Sequence, residues 1–197
     1  DCTIHRLIEI SGIIISILGI LLFIGLISYS PTDPNFIFPE NTEIKNFLGF
    51  QGSYVSDLFF QSIGLIAYLI PITFFLTGIN IFRNKEIFLV LENIFFIVLY
   101  SIIGSLFFSF YYTNSFSLFV NGNGGFIGNF LYEITFKKFL ITYKNIFYYI
   151  FITLILFLFL VSINFKITNF FLLIKKFFQF LTHKNKKNYT NENEVIN

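Results

Sequence analysis

Tryptophan and methionine are absent from this 197-residue sequence, cysteine occurs once, and charged residues make up only 12% of it. Each shortage excludes something. The single Cys2 rules out an internal disulfide and any cysteine-rich metal site. The two histidines, His5 and His183, sit near opposite ends and offer no ligand spacing. Soluble domains carry about 25% charged residues, so this chain cannot clothe a water-facing surface. Having no Met, even at position 1, is expected of a fragment or a trimmed chain. Chemistry is short of machinery too. There is no G-x-x-x-x-G-K-[ST] phosphate loop, no H-E-x-x-H, no paired-cysteine motif and no G-x-S-x-G elbow. On its residues the chain is not expected to be an enzyme, nor to hold a cofactor or a metal.

What is present is apolar length. Hydrophobic residues make up 55% of the chain, with 32 Phe and a mean hydropathy of +0.75. The Phe, Ile, Asn and Lys bias is that of an AT-rich coding sequence, which accounts for the Phe load without an aromatic function. Four stretches carry no charged side chain: Ile10 to Thr32, Leu58 to Phe82, Asn93 to Tyr132 and Asn145 to Phe165. A helix rises about 1.5 Å per residue, so roughly 20 apolar residues cross a hydrocarbon core of about 30 Å. Four spans are expected, at about 10–28, 58–82, 87–112 and 146–164. The first holds thirteen Ile, Leu or Phe residues, a run too long for the core of a signal peptide. Its Gly12, Ser16, Gly19 and Gly25 leave smooth patches for a close helix neighbour, and Pro31 and Pro34 end it. Pro71, near the middle of the second span, is expected to kink it or to open a local gap in its hydrogen-bond ladder.

Counting Lys and Arg orients the spans. The side holding both termini carries nine (Arg6, Arg83, Lys85, Lys166, Lys175, Lys176, Lys184, Lys186, Lys187). The opposite side carries four (Lys45, Lys137, Lys138, Lys144). Both termini are therefore expected in the cytoplasm. Residues 166–183 read as a basic amphipathic helix on the membrane surface, and 184–197 as the start of a disordered linker. The expected fold class is an all-α membrane protein. It has four transmembrane helices over residues 1–165, a glycine-rich outer loop or re-entrant segment, and the C-terminal amphipathic helix.

Two features invite function. Glu92 is either an intramembrane relay or an interfacial acid near Arg83 or Lys85. The glycines around Asn121 to Gly128 permit a sharp reversal, followed by an apolar stripe from Phe126 to Ile134. That stripe either dips into the membrane under protein cover or lies in a flexible outer loop.

The order of short motifs resembles a known family. Ser28-Tyr29-Ser30-Pro31-Thr32-Asp33-Pro34-Asn35-Phe36 is similar to the S-[FY]-x-P-x-D-P-S-[WF] run of FtsK/SpoIIIE-type DNA translocases. Asn46, Gly49, Gly52, Ser53 and Asp57 continue the likeness, with Ser53 standing where the family has Ala. Gly64, Ala67, Tyr68 and Pro71 echo its G-x-x-A-Y-x-x-P, and Gly124, Gly125 and Gly128 its G-G-x-x-G. The likeness covers about residues 6 to 165. It implies the anchor of a hexameric septal motor acting in chromosome segregation and cell division. The implied partners are the bilayer, other copies of the chain and division-site membrane proteins. The implied location is the bacterial inner membrane at the septum. ATP, Mg and DNA belong to a motor domain that this sequence does not contain. A small transporter or channel subunit is the alternative, and a membrane subunit recruiting a soluble enzyme is a third reading.

Overall fold

The computed structural model describes residues 2–34, 43–113, 121–165, 175 and 179, with only the backbone of Cys2 and 135–139. The expected amphipathic helix of 166–183 and the linker of 184–197 lie, apart from residues 175 and 179, outside the described residues. Among the described residues every regular element is helical. They are α1 (Cys2–Ile27), α2 (Gly49–Ile63), a 3₁₀ segment (Gly64–Tyr68), α3 (Leu69–Asn84), α4 (Leu89–Tyr111), α5 (Gly125–Leu131), a π turn (Tyr132–Phe136), α6 (Lys137–Thr142) and α7 (Lys144–Ser162). Among the described residues four helical stretches are long and apolar enough to cross a membrane: Thr3–Ile27, Gly49–Asn84, Leu89–Tyr111 and Lys144–Ser162.

The second stretch departs from expectation. At 36 residues, a straight helix would measure about 54 Å, well beyond the ~30 Å core. It breaks at Gly64, whose φ of 72° and ψ of −149° are open essentially to glycine alone. The sharp break is at Gly64 rather than Pro71, which is the third residue of α3 directly after the 3₁₀ segment and leaves a gap in the hydrogen-bond ladder where the two join. From Gly64 to Asn84 the chain holds five 3₁₀ and 16 α-helical residues. At ~2.0 and ~1.5 Å each these reach about 34 Å, one crossing.

The part before the break, α2, does not run down the bundle. A Cβ on Gly25 would stand 3.7 Å from the Gly52 carbonyl, and two turns later the Phe60 ring lies 4.8 Å from that of Tyr29. An antiparallel neighbour would move toward the start of α1 as it lengthens. α2 stays with its end instead, and the Ile63 carbonyl then accepts from Ser105 Oγ of α4 at 2.7 Å. So α2 bridges α1 and α4 at the end remote from the N-terminus, the outer end in the orientation expected from the Lys and Arg count.

Two contrasting interfaces hold the spans. α1 meets α3 backbone to backbone: a Cβ on Gly12 would stand 2.7 Å from the Gly78 carbonyl, and one on Gly19 2.9 Å from that of Pro71. Ser16 Oγ donates to the Phe75 carbonyl at 3.1 Å. Gly12, Ser16 and Gly19 of span one thus pack on α3, and Gly25 on α2. α4 meets α7 through rings, with Phe107 packed against Tyr148 and Phe151. Between them lies a core of Leu26, Phe60, Ile66, Ala67, Ile70, Tyr100 and Leu158.

Candidate functional site

The outer end gathers the motif residues into one polar knot. It starts in the turn after α1, where Asp33 is 2% exposed. Its two carboxylate oxygens accept the backbone N–H groups of Lys45 at 3.0 Å and Asn46 at 2.9 Å. Asn46 then faces α1: its Nδ2 donates to the Gly25 carbonyl at 2.9 Å, and its Oδ1 accepts the Leu48 N–H at 3.1 Å. That carbonyl belongs to the last turn of α1, which has no intrahelical partner. Ser28 Oγ accepts the Phe47 N–H at 3.1 Å, and Ser53 Oγ donates to the Pro34 carbonyl at 3.1 Å. Buried polar groups persist only when paired, and each bond here pairs one chain segment with another.

From the knot a directional chain of hydrogen bonds crosses the outer end. Tyr29 donates to Asp57 Oδ1 at 2.9 Å, and Gln61 Nε2 to the same oxygen at 3.3 Å. Gln61 Oε1 accepts Asn121 Nδ2 at 3.1 Å. The Asn121 carbonyl accepts Asn129 Nδ2 at 2.6 Å, and Asn129 Oδ1 accepts Ser109 Oγ at 2.8 Å. Five bonds join the turn after α1, α2, the glycine loop, α5 and α4. Burial, then the charge of Asp57, pushes the Tyr29 phenol above its ordinary range. It stays a donor at neutral pH.

The glycine-rich segment is packed rather than loose. A Cβ on Gly124 would collide with Ser109 Oγ, and one on Gly128 with the Ser105 carbonyl. Gly125 has a φ of 67° and lies against the Gly64 amide. The Leu65 N–H donates to the Asn123 carbonyl at 2.9 Å, covering the unwound backbone beside Gly64, and Asn123 Nδ2 donates to the Tyr112 carbonyl. Ser105 lies six residues before the end of α4, about 9 Å along the axis. α5 therefore dips beside the outer part of a span. The unwound backbone at Gly64 and Asn123 is covered by protein, as an apolar surrounding demands.

The twelve motif residues divide by what they touch. Asp33, Pro34, Gly52 and Asp57 enter the knot, where a Cβ on Gly52 would collide with Asn46 Oδ1. Gly64, Gly124, Gly125 and Gly128 form the node where α2, α4 and α5 meet. Tyr68 donates to the Leu26 carbonyl at 3.4 Å, and Pro71 backs onto Gly19. Pro31 is exposed, and Gly49 opens α2 with a φ of 66° and free space around it. Gln61, Asn121, Asn129, Ser105 and Ser109 escaped sequence reasoning. Their signal was only that neutral amides and hydroxyls sit in or beside apolar runs.

Glu92 stands exposed in the first turn of α4. Lys85 pairs instead with Glu9, at 3.1 Å, and Arg6 reaches the same carboxylate at 3.0 Å. Among the described residues no group of three His, Cys, Asp or Glu is placed to hold a metal ion. The knot's Gly25, Gly52 and Ser56 also line an open, mostly apolar groove beside α2, while its donors and acceptors are bonded to one another. Its chemistry is to fix the loops and short helices of one face.

Residues 5–176 match the family model described as the 4TM region of DNA translocase FtsK/SpoIIIE. Among similar curated proteins, the DNA translocase FtsK of Rickettsia bellii is 34% identical over 77 residues, 39% of this chain and 10% of that protein. The DNA translocase FtsK of Shewanella oneidensis is 33% identical over 103 residues, 52% of this chain and 11% of the relative. That of Pseudomonas putida is 30% identical over 83 residues, 42% and 10% respectively. The matched stretch is thus about a tenth of each relative's length. No solved structure matches the chain.

Proposed function

This chain belongs to the family of four-transmembrane regions of FtsK/SpoIIIE DNA translocases, and from that premise we propose that it is the membrane anchor of such a translocase. It is a multi-pass membrane protein. In the proposed role it sits in the bacterial inner membrane at the division septum, with both termini cytoplasmic, and supports oligomerisation and targeting. The motor that would use ATP and Mg and touch DNA belongs to other parts of the protein, since the relatives named DNA translocase FtsK match over only about a tenth of their length. The carrying observation is the family match across residues 5–176. The nine-to-four bias of Lys and Arg supports the orientation. A transporter reading draws less support. The hydroxyls buried between spans, Thr73, Tyr100 and Ser162, are bonded to one another at 3.1 and 3.2 Å rather than lining a path.

A chimera tests the proposal. The chain replaces the four-span region of a relative's translocase in a strain depleted of its own. Septal fluorescence of a tagged chimera and restored chromosome segregation are expected. A chimera that inserts in the membrane but spreads evenly over it, with no rescue, sinks the anchor reading.

A further inference from the structure

The two short outer helices are amphipathic the wrong way round for a water-facing surface. In α2 the first two turns of the inward face are polar or small: Gly52, Ser53, Ser56 and Asp57 are all buried, the last at 4% exposure, and Phe60 and Ile63 follow them into the core. The outward face is apolar, with Phe50 at 53% and Leu58 at 58% exposure, and Phe47 just before the helix at 80%. α5 repeats the pattern. Asn123, Gly124, Gly125 and Gly128 are buried, whereas Phe126, Phe130 and Ile134 point outward. Facing water, a helix would turn such faces over, because every exposed Phe or Leu forgoes the gain of burial. The inverted pattern requires an apolar outside.

Three further observations say what that outside is. α2 stays level with Gly25 and Tyr29 at the outer end of α1, and α5 docks about two turns below the end of α4. Both therefore lie at the depth where headgroups give way to acyl chains. The exposed face of α2 runs on from α1, whose exposed Leu18 and Leu21 line one groove with Val55 of α2. Beneath α2 opens a groove of about 520 Å³ lined by Leu18, Leu21, Leu22, Val55 and Phe74, with Gln51 also on its lining. A helix lying in the interface leaves such a space under it, and a lipid tail fills it. The geometry points to a monotopic collar: α2 and α5 lie in the outer leaflet's interface, with Phe47, Phe50, Leu58, Phe126 and Phe130 inserted among the acyl chains. This goes beyond the anchor reading and holds whatever the anchor carries.

The absence of tryptophan makes the test clean. Single-tryptophan variants of the full chain, Phe50→Trp and Phe126→Trp, are reconstituted in phosphatidylglycerol and phosphatidylcholine vesicles. Phe47→Trp and Phe130→Trp serve as second probes of each helix, and Glu86→Trp as the water-exposed reference. Interfacial helices sit roughly 5–10 Å into the headgroup boundary, so lipids brominated near the headgroup should quench about twofold more than lipids brominated near the chain ends. Iodide should quench the four probes far less than Glu86→Trp. Quenching by iodide at the level of the reference overturns the collar. So does shielding from both iodide and bromolipid, which would mean that a second copy or another protein covers these faces.

Discussion

The two ends of the bundle hold their polar groups in different ways. At the outer end, uncharged amides and hydroxyls with two buried carboxylates tie five chain segments together, and Asp33 and Asp57 are each at most 4% exposed. At the inner end one carboxylate, Glu9, lies between Arg6 and Lys85, whose side chains are 74% and 45% exposed. Behind it, Asn93 Nδ2 donates to Thr77 Oγ1 at 2.7 Å and Asn164 Nδ2 to Asn93 Oδ1 at 3.1 Å. Buried charge-assisted bonds to backbone amides are worth about 1.5–3 kcal/mol each, whereas exposed ion pairs contribute roughly 0.2–1 kcal/mol. The outer end is built to keep one conformation. The inner end needs only to stop the chain at the membrane surface.

The largest effect should come from the break itself. Gly64→Val places a branched side chain at a φ of 72° and drives it into the Asn123 carbonyl. Backbone strain and overpacking together should remove about 3 kcal/mol or more. Gly49→Val has nearly the same φ, 66°, with nothing within 4 Å of the added carbon. It isolates the strain and should lose only about 1–2 kcal/mol. Denaturant titration of the two variants in detergent measures the gap, and equal losses would mean that the node against α5 contributes nothing. Next comes Asp33→Ala, which orphans the amides of Lys45 and Asn46. A loss of about 2–3 kcal/mol is expected in the same titration, with Asp33→Asn recovering part of it.

These cases also mark what could be read in the residues. The number of spans was legible because charge-free length is a local property. The sharp break at Gly64 was not legible because a lone glycine in an apolar run gives no local sign of a positive φ. α2 read as the loop and start of span two because its outward Phe and Leu carry the same hydropathy as lipid-facing span residues. Its polar inner face makes sense only once Asn46 and Tyr29 are beside it. The Gln61–Asn121–Asn129 chain was invisible for a similar reason. The amide of Gln61 meets that of Asn121 across 60 residues, and nothing local announces such a pairing.

A smaller effect separates burial from charge within the knot. The Tyr29 phenol, raised by burial and by Asp57, is neutral in the fold well past the pH where an unfolded tyrosine ionises, about 10. A raised folded-state value stabilises fully below that pH, and the contribution falls away as pH climbs from there toward the folded-state value. Tyr29→Phe should therefore cost about 1 kcal/mol at neutral pH, the worth of one hydrogen bond. Above about pH 10 it should lose less stability with rising pH than the parent does. Parallel pH profiles for the two proteins would show that Tyr29 ionises without feeling the knot.

The smallest effect is the sharpest test of the contrast between the ends. Glu9→Gln removes both ion pairs at the inner end. Because their cations are exposed, the change should lower stability by less than about 1 kcal/mol, and added salt should shrink even that. If instead Glu9→Gln matched Asp33→Ala and kept its effect in high salt, the inner carboxylate would be as deeply committed as the outer ones. The inner end would then be a second rigid knot rather than a boundary. A salt-insensitive loss would also arise if the substitution freed α1 from α3 at Gly12 and Gly78, a close backbone contact near Glu9. A Gly12→Ala variant separates the two. It disrupts that helix contact and leaves the ion pairs intact, so its loss should exceed that of Glu9→Gln at every salt concentration.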